Sequence, residues 1–416
     1  MSASAATTRE STPTGAFAAL ANKVFARYLM VLTMSLAGNW IRITAMGYLV
    51  YDLTGDPFKL GLISFAQAAP QLLLSPLAGA VVDRVNRRKV LVAVQAALIS
   101  MMTLLTWLVF TERVTYEWLL GIAIVVGAAT TFDWPARLSI VPAMVSRKEL
   151  PSAVALNAAA FNGARVVGPS VAGFLIAWLG MAAAFGITTI SALPFLVVLF
   201  TIAAFRPSGT GAVAKPTEPP LRALIDGYRY IWHHRELRAM LSVDVVPIIL
   251  GMSYSAMAPA IAADVLGLGS QGFGVMLTIG GVGSLIGTLA VAHLSRKSGR
   301  GKMVLTAVTI FAFGLIGYGL SSSVWLTFPL MALLGLSYAI SSTMNDTLIQ
   351  LHADDAYRGR VMAVYSTFWG LSPAGGLLAG FLANHIGVQW AVAINGFLVL
   401  AYIPWLLFRT PMRHVD

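Results

Sequence analysis

The 416-residue chain contains no cysteine, which excludes disulfides, thiolate metal sites and cysteine nucleophiles together. It is also poor in charge. Asp, Glu, Lys and Arg make up 11% of the residues, against about 25% in soluble domains. Residues 1–16 are small and polar and hold no apolar core of a signal peptide, so no cleavable leader is expected. HExxH, GxSxG, Walker and Cys/His metal spacings are all missing, and His233-His234 is an isolated pair. The stretch "GGVGSLIG" (280–287) has the look of a dinucleotide loop, but it lacks the last glycine and lies inside an apolar run. It reads instead as close helix packing through Gly283 and Gly287. No enzyme, metal or cofactor chemistry is expected.

What the chain does have is apolar length. It is 57% hydrophobic with a mean hydropathy of +0.77, and its runs of about 20 apolar residues can each cross a ~30 Å hydrocarbon core as a helix. The expected class is an all-α polytopic membrane protein. Twelve spans are predicted, at 27–52, 58–82, 89–110, 117–138, 152–179, 182–204, 237–262, 271–294, 303–322, 324–348, 360–385 and 388–408. Gly and Pro inside them are ordinary for membrane helices, whose neighbours re-satisfy the backbone.

Charge location sets the orientation. With the N-terminus inside, 23 of the 28 Lys and Arg residues fall in cytoplasmic segments, and only Lys59 and Arg113 fall outside. Arg42, Arg137 and Arg165 lie within spans. Both termini are therefore expected in the cytoplasm, with 1–26 a disordered N-tail and 409–416 a C-tail. The net charge of +11 follows from topology and calls for no nucleic-acid partner.

The longest loop, 205–236, separates six spans from six, giving bundles 27–204 and 237–408. It opens on a Pro/Gly/Ala linker, then aligns Leu221, Leu224, Ile225, Tyr228 and Trp232 on one stripe, as in a helix at the inner interface. Such a helix is expected to pack beneath the bundle. The halves repeat at an offset of 213 residues, pairing Gly61 with Gly274, Arg87 with Arg300, Lys89 with Lys302 and Asp133 with Asp346. Further on the offset is 207, where "GFLIAWLG" (173–180) meets "GFLANHIG" (380–387). Parallel six-span repeats are an architecture of secondary transporters.

Motifs then give a resemblance. "GAVVDRVNRRK" (79–89) is similar to the loop signature of the major facilitator superfamily through Gly79, Asp83, Arg84, Arg87 and Arg88. Asn86 stands where that pattern has Gly, and Asn tolerates left-handed turn geometry. "ARVVGPSVAG" (164–173) resembles the superfamily's antiporter signature in span 5 through Gly168, Pro169 and Gly173. The antiporters' span-4 arginine is not met, because Ala123 precedes Gly127 there. "YDLTGDPFKLGL", "DWPARLSIVPAMV" and "NDTLIQLHADDAYRGRVMAV" resemble the branch of macrolide-efflux and enterobactin-export proteins.

The resemblance implies a twelve-helix transporter of the bacterial inner membrane, monomeric, exporting a small organic molecule by alternating access in exchange for protons. It implies that Asp83 and Arg84 form a cytoplasmic gate. The alternative is a turn that only anchors topology, which suits Arg87, Arg88 and Lys89. It also puts spans 1, 4, 7 and 10 around the cavity, and with them Arg42, Asp133, Asp244 and Asp346. A charge at mid-membrane costs several kcal/mol unless it faces a cavity or a partner.

Asp133 and Asp346, matched in the repeat, are the first candidates for proton coupling, with Asp244 beside them. Against that stands a fixed ion pair of Asp133 with Arg137 one turn on. Arg42 and Arg165 can receive an anionic substrate or pair with acids across the bundle. Asn39, Trp40, Tyr254, Asn345, Gln350 and Trp369 offer hydrogen bonds and stacking faces, although packing alone accounts for single aromatics. Uptake, uncoupled movement, or a receptor that keeps the fold are the remaining readings.

Overall fold

A computed structural model describes residues 17–201, 220–294, 299–354 and 357–415. Within them the side chains of Gly79, Asp83, Arg84, Arg87 and Leu221 lie outside the described set, so the gate reading of Asp83 and Arg84 finds neither support nor conflict here. The described chain is helical, with no strand among the described residues.

The N-terminal half holds α1 (Lys23–Thr54), α2 (Pro57–Arg84), α3 (Arg87–Phe110), α4 (Tyr116–Ile140), α5 (Leu150–Leu179) and α6 (Met181–Thr201). After α7 (Pro220–His233), the second half holds α8 (Arg235–Val265), α9 (Ser270–Leu294), α10 (Arg300–Leu320), α11 (Val324–His352), α12 (Arg358–Ile386) and α13 (Val388–Arg409). Ten of these are long and apolar enough to cross a membrane among the described residues. The other two expected spans, α2 and α12, are helices of 28 and 29 residues.

Local chemistry sets the ends. Asn22 caps α1 by accepting from the Val24 and Phe25 amides, so the helix starts at Lys23 and not at 27. The expected disorder of 1–26 is corrected at its end, because Ala18–Ala21 forms a 3₁₀ turn with Ala19 fully buried. Asp56 caps α2, with Pro57 at the first helical position. Asn86 has φ −59° and caps α3 through the Arg88 amide, so it serves as an N-cap and not as the left-handed turn residue expected. Single glycines join α5 to α6 and α12 to α13. Gly180 (φ 83°) and Gly387 (φ 86°) occupy equivalent places in the 207-residue repeat, where a β-carbon would be strained.

The repeat is visible in the packing. In the first half α1 lies on α5 and α6, while α4 lies on α2 and α3. In the second, α8 lies on α12 and α13, while α11 lies on α9 and α10. The halves meet through α2 on α12 and α5 on α9. Both seams rest on glycine. Gly61 abuts the backbone of Gly376 and Leu377, and Gly380 abuts Pro57. By the same geometry Gly274 abuts Pro169 and Gly173, and Gly173 abuts Ser270. A methyl group on Gly173 would lie 2.6 Å from the Gly274 α-carbon, so a side chain there forces the halves apart.

The amphipathic helix α7 docks beneath the second half. Gly227 lies against the Arg360 carbonyl, Ile231 is buried, and the Tyr230 ring stacks on Tyr357 at 4.3 Å. Tyr230 also donates to Asp354 at 2.8 Å. Among the described side chains of the expected stripe, Leu224 joins this packing, while Ile225, Tyr228 and Trp232 remain exposed. The C-tail is also held in place. Met412–His414 forms a 3₁₀ turn, and the Gly301 amide donates to the Val415 carbonyl at 3.0 Å.

Candidate functional site

At the end that the Lys and Arg count assigns to the outside, hydrogen bonds close the gap between the halves. Tyr51 donates to Asp264, and Asn384 donates to the α2 cap Asp56 at 2.7 Å. Tyr51 and Asp264 are 213 residues apart, so this contact joins equivalent ends of α1 and α8. Deeper in, Arg165 on α5 reaches Ser284 on α9 at 3.5 Å, with Val166 packed on Gly281 beside it. These three hydrogen bonds cross from half to half, and Tyr48 on α1 makes a further one to the backbone of Ser270 on α9.

Within the first half the structure gathers Asn39, Arg42, Asp133 and Arg137 around a cavity of about 180 Å³, with Gln95 and Thr130. Asp133 sits in a fixed pair, with Arg137 Nε 2.6 Å from Oδ2, while Gln95 donates to Oδ1 at 3.2 Å. The Arg137 guanidinium also lies 4.3 Å from the centre of the Phe195 ring, a cation–π contact. Arg42 is only 3% exposed and is paired with no acid among the described residues. It donates to Asn39 Oδ1 at 2.9 Å and Gln67 Oε1 at 3.3 Å, so its desolvated charge is carried by amide dipoles.

The second half has a carboxylate site of opposite kind. Asp244 on α8 is 2% exposed. Its Oδ2 accepts from Asn345 Nδ2 at 2.7 Å and from the Tyr365 hydroxyl at 2.8 Å. The Tyr365 hydroxyl also reaches Asp346, one residue beyond Asn345 on α11. Neither acid is ion-paired with a cation among the described residues. Asn345 Oδ1 and Asp346 Oδ1 are buried acceptors with no donor. Three residues past Asp244, α8 turns into a π-helical segment at Pro247–Gly251. Proline lacks the amide that would close the regular turn, and such bulges mark places where a helix can repack.

A family model described as "Transmembrane secretion effector" matches residues 14–416. The chain belongs to that family, within the major facilitator superfamily. It is a multi-pass membrane transporter and not an enzyme. The transporter is 29% identical to the "Multidrug efflux pump Tap" of Mycolicibacterium fortuitum, over 91% of this chain and 94% of that protein. It is 24% identical to the "Staphyloferrin A transporter" of Staphylococcus aureus, over 86% and 89%. Among solved structures it superposes on a bacterial homologue of the human lysosomal transporter Spinster with a TM-score of 0.70, 12% identity, and coverage of 94% and 95%. That likeness is one of fold.

The other expected residues of the transporter divide between the interior and the surface. Tyr254 and Trp369 belong to an aromatic chain, Tyr318–Tyr254–Phe311–Tyr338–Trp369, whose ring centres are 5.5–6.2 Å apart. Trp369 is its most exposed member. Trp40 lies on Phe161 at 6.0 Å, with Gly168 against its β-carbon, so it packs α1 onto α5 inside the first half. Pro169 and Gly173 face α9. Gln350 is exposed at the end of α11. Of the loop motif, Arg88 is described: it donates to the Phe200 carbonyl at 2.7 Å and rests over that ring, tying α3 to α6.

Tyr365, Gln95, Tyr51 and Asp264 were not legible as site residues. A tyrosine inside an apolar span reads as packing, and Asp264 reads as a loop acid at a helix end. Only the cross-helix geometry reveals their partners.

Proposed function

We propose that the transporter exports a small organic molecule by alternating access in exchange for protons, with Asp244 as the proton-carrying residue. The observation that carries this reading is a fully buried carboxylate held by two neutral donors, Asn345 and Tyr365, and paired with no cation among the described residues. An adjacent cation holds a carboxylate charged, whereas a buried carboxylate without one can gain and lose a proton as its access to water changes. The adjacent π segment gives α8 a place to repack as the charge changes.

Export of a drug-like or siderophore-like molecule is supported by the names of two relatives, a multidrug efflux pump and a staphyloferrin A transporter. The closed outer ends fit a state open toward the cytoplasm, where such a substrate would enter. We place both termini in the cytoplasm, one six-helix bundle over α1–α6 and the other over α8–α13, and a single copy as the working unit.

Everted vesicles bearing the full chain provide the test. With neutral, cationic and anionic probes, accumulation should depend on an imposed proton gradient and cease when the gradient is collapsed. Accumulation indifferent to the gradient would rule out antiport while leaving export intact. Preference for cationic probes alone would remove Arg42 and Arg165 as receptors for an anion.

A further inference from the structure

A groove in the second half lies away from the acids and is lined by α9, α10, α11 and the C-tail. It measures about 690 Å³. Helices α9 and α10 both lie along α11 without comparable packing on each other, and the groove runs in the gap between them. Its walls are apolar, from Leu294 on α9, Ile310 on α10, and Leu336 and Ile340 on α11. From Lys302 to Ile310 along α10 is about 12 Å at ~1.5 Å per residue, close to the ~15 Å of one leaflet's hydrocarbon.

The mouth is cationic. Lys302, Arg413 and His414 line it, at the end where Lys and Arg gather along the whole chain. Lys302 is exposed and has no ion-pair partner among the described residues. Arg413 and His414 are held there by more than chance proximity. Met412 beside them is fully buried, Gly301 donates to the Val415 carbonyl at 3.0 Å, and Arg413 Nε donates to His414 Nε2 at 2.9 Å. The C-tail thus forms one lip of the groove. A cationic rim above a leaflet-deep apolar slot is complementary to an anionic headgroup with acyl chains below it, and basic pockets between helices bind such headgroups.

We propose that this groove is a binding site for an anionic phospholipid of the cytoplasmic leaflet, its phosphate held by Lys302 and Arg413 and an acyl chain lying over Leu336 and Ile340. The site is independent of the transported substrate and of Asp244. It makes the last residues of the chain a lipid-responsive lip on α10 and α11, and α11 carries Asn345 and Asp346.

The test uses the purified full chain in mild detergent, titrated with phosphatidylglycerol, phosphatidylcholine or inorganic phosphate, and read by native mass spectrometry and thermal unfolding. Phosphatidylglycerol should be retained and should raise the melting temperature; phosphatidylcholine and free phosphate should do neither. At about 1 kcal/mol for each basic residue near an anionic headgroup, K302Q/R413Q should weaken phosphatidylglycerol binding ~30-fold. The surface pair R147Q/K148Q removes the same charge from the same side and should leave binding unchanged. I340W fills the slot beneath an intact rim and should also lose the lipid. Equal weakening by R147Q/K148Q would reduce the effect to general surface charge and overturn the site. Retention by both K302Q/R413Q and I340W, or equal protection by inorganic phosphate, would overturn it as well. All the variants change exposed or part-exposed positions, and their unliganded melting curves report folding directly.

Discussion

Asp133 and Asp346 occupy the same place in the two halves of the chain, 213 residues apart, and live in opposite surroundings. Asp133 has an arginine one turn on, at 137, and is locked to it at 2.6 Å. The equivalent of Arg137 in the second half is Gln350, which is exposed and leaves Asp346 without a cation. Asp346 shares Tyr365 with Asp244 instead, a carboxylate whose own equivalent in the first half is Val31. In the first half the acid is neutralised in a fixed pair. The second half has a second acid, Asp244, and no cation paired with either acid among the described residues. The two halves share one framework and differ in a few intramembrane side chains, and it is the second half's acids that the proposed proton exchange would use.

The largest effect should come from removing the acid that only the second half has. Asp244→Asn keeps the size of the side chain and its place between Asn345 and Tyr365 but cannot release a proton. Gradient-driven accumulation in everted vesicles should fall to that of empty vesicles, while downhill exchange of substrate persists. Coupled accumulation at the wild-type rate would end the claim for Asp244. Next comes Asp133→Asn. It leaves the buried Arg137 guanidinium uncompensated, at a cost of about 3 kcal/mol, read as a lower melting temperature, with the gradient dependence of surviving transport unchanged. Loss of gradient dependence at normal stability would instead move the coupling site into the first half.

How much of this was legible in the sequence differs between framework and site. Hydropathy, the Lys and Arg distribution and the internal repeat carried the helix order and the two-half plan, because each is a sum over many residues. The repeat match of Gly61 with Gly274 proved to mark the seams, where the two glycines sit in equivalent contacts with α12 and α5. The site was harder. Repeat logic favoured Asp133 and Asp346 equally, although only one has an arginine at the fourth position beyond it. Asp244 has no repeat partner to draw attention, and its two donors come from α11 and α12, more than 100 residues away. Asn86 shows the same limit on a small scale. A helix cap and a left-handed turn suit the same residue, and the backbone angle decides between them.

The comparison can be sharpened by giving the second half the first half's pair. Gln350→Arg places a guanidinium one turn from Asp346, in the register that pairs Arg137 with Asp133. The side chain can lie back toward Asp346, because residues four apart share a helix face. Pairing should hold Asp346 charged and disturb the Tyr365 bridge to Asp244. The expected result is a partial loss of gradient-driven accumulation, smaller than for Asp244→Asn, with an unchanged melting temperature. An unaltered rate would mean that Asp346 takes no part in coupling and that Asp244 acts alone.

The smallest effect is expected from Gln350→Ala, which separates the loss of glutamine from the gain of arginine. The recorded polar contact of Gln350 is through its backbone carbonyl, which accepts from Arg358 Nε at 2.9 Å, and alanine preserves it. Its side chain is exposed at the last turns of α11, where substitutions cost within about 0.5 kcal/mol. Transport rate, gradient dependence and melting temperature should all match the wild type. A defect in coupling from this variant would show that the amide itself serves the acid pair. Gln350 would then be the neutral counterpart of Arg137, holding Asp346 by hydrogen bond where the first half holds Asp133 by charge.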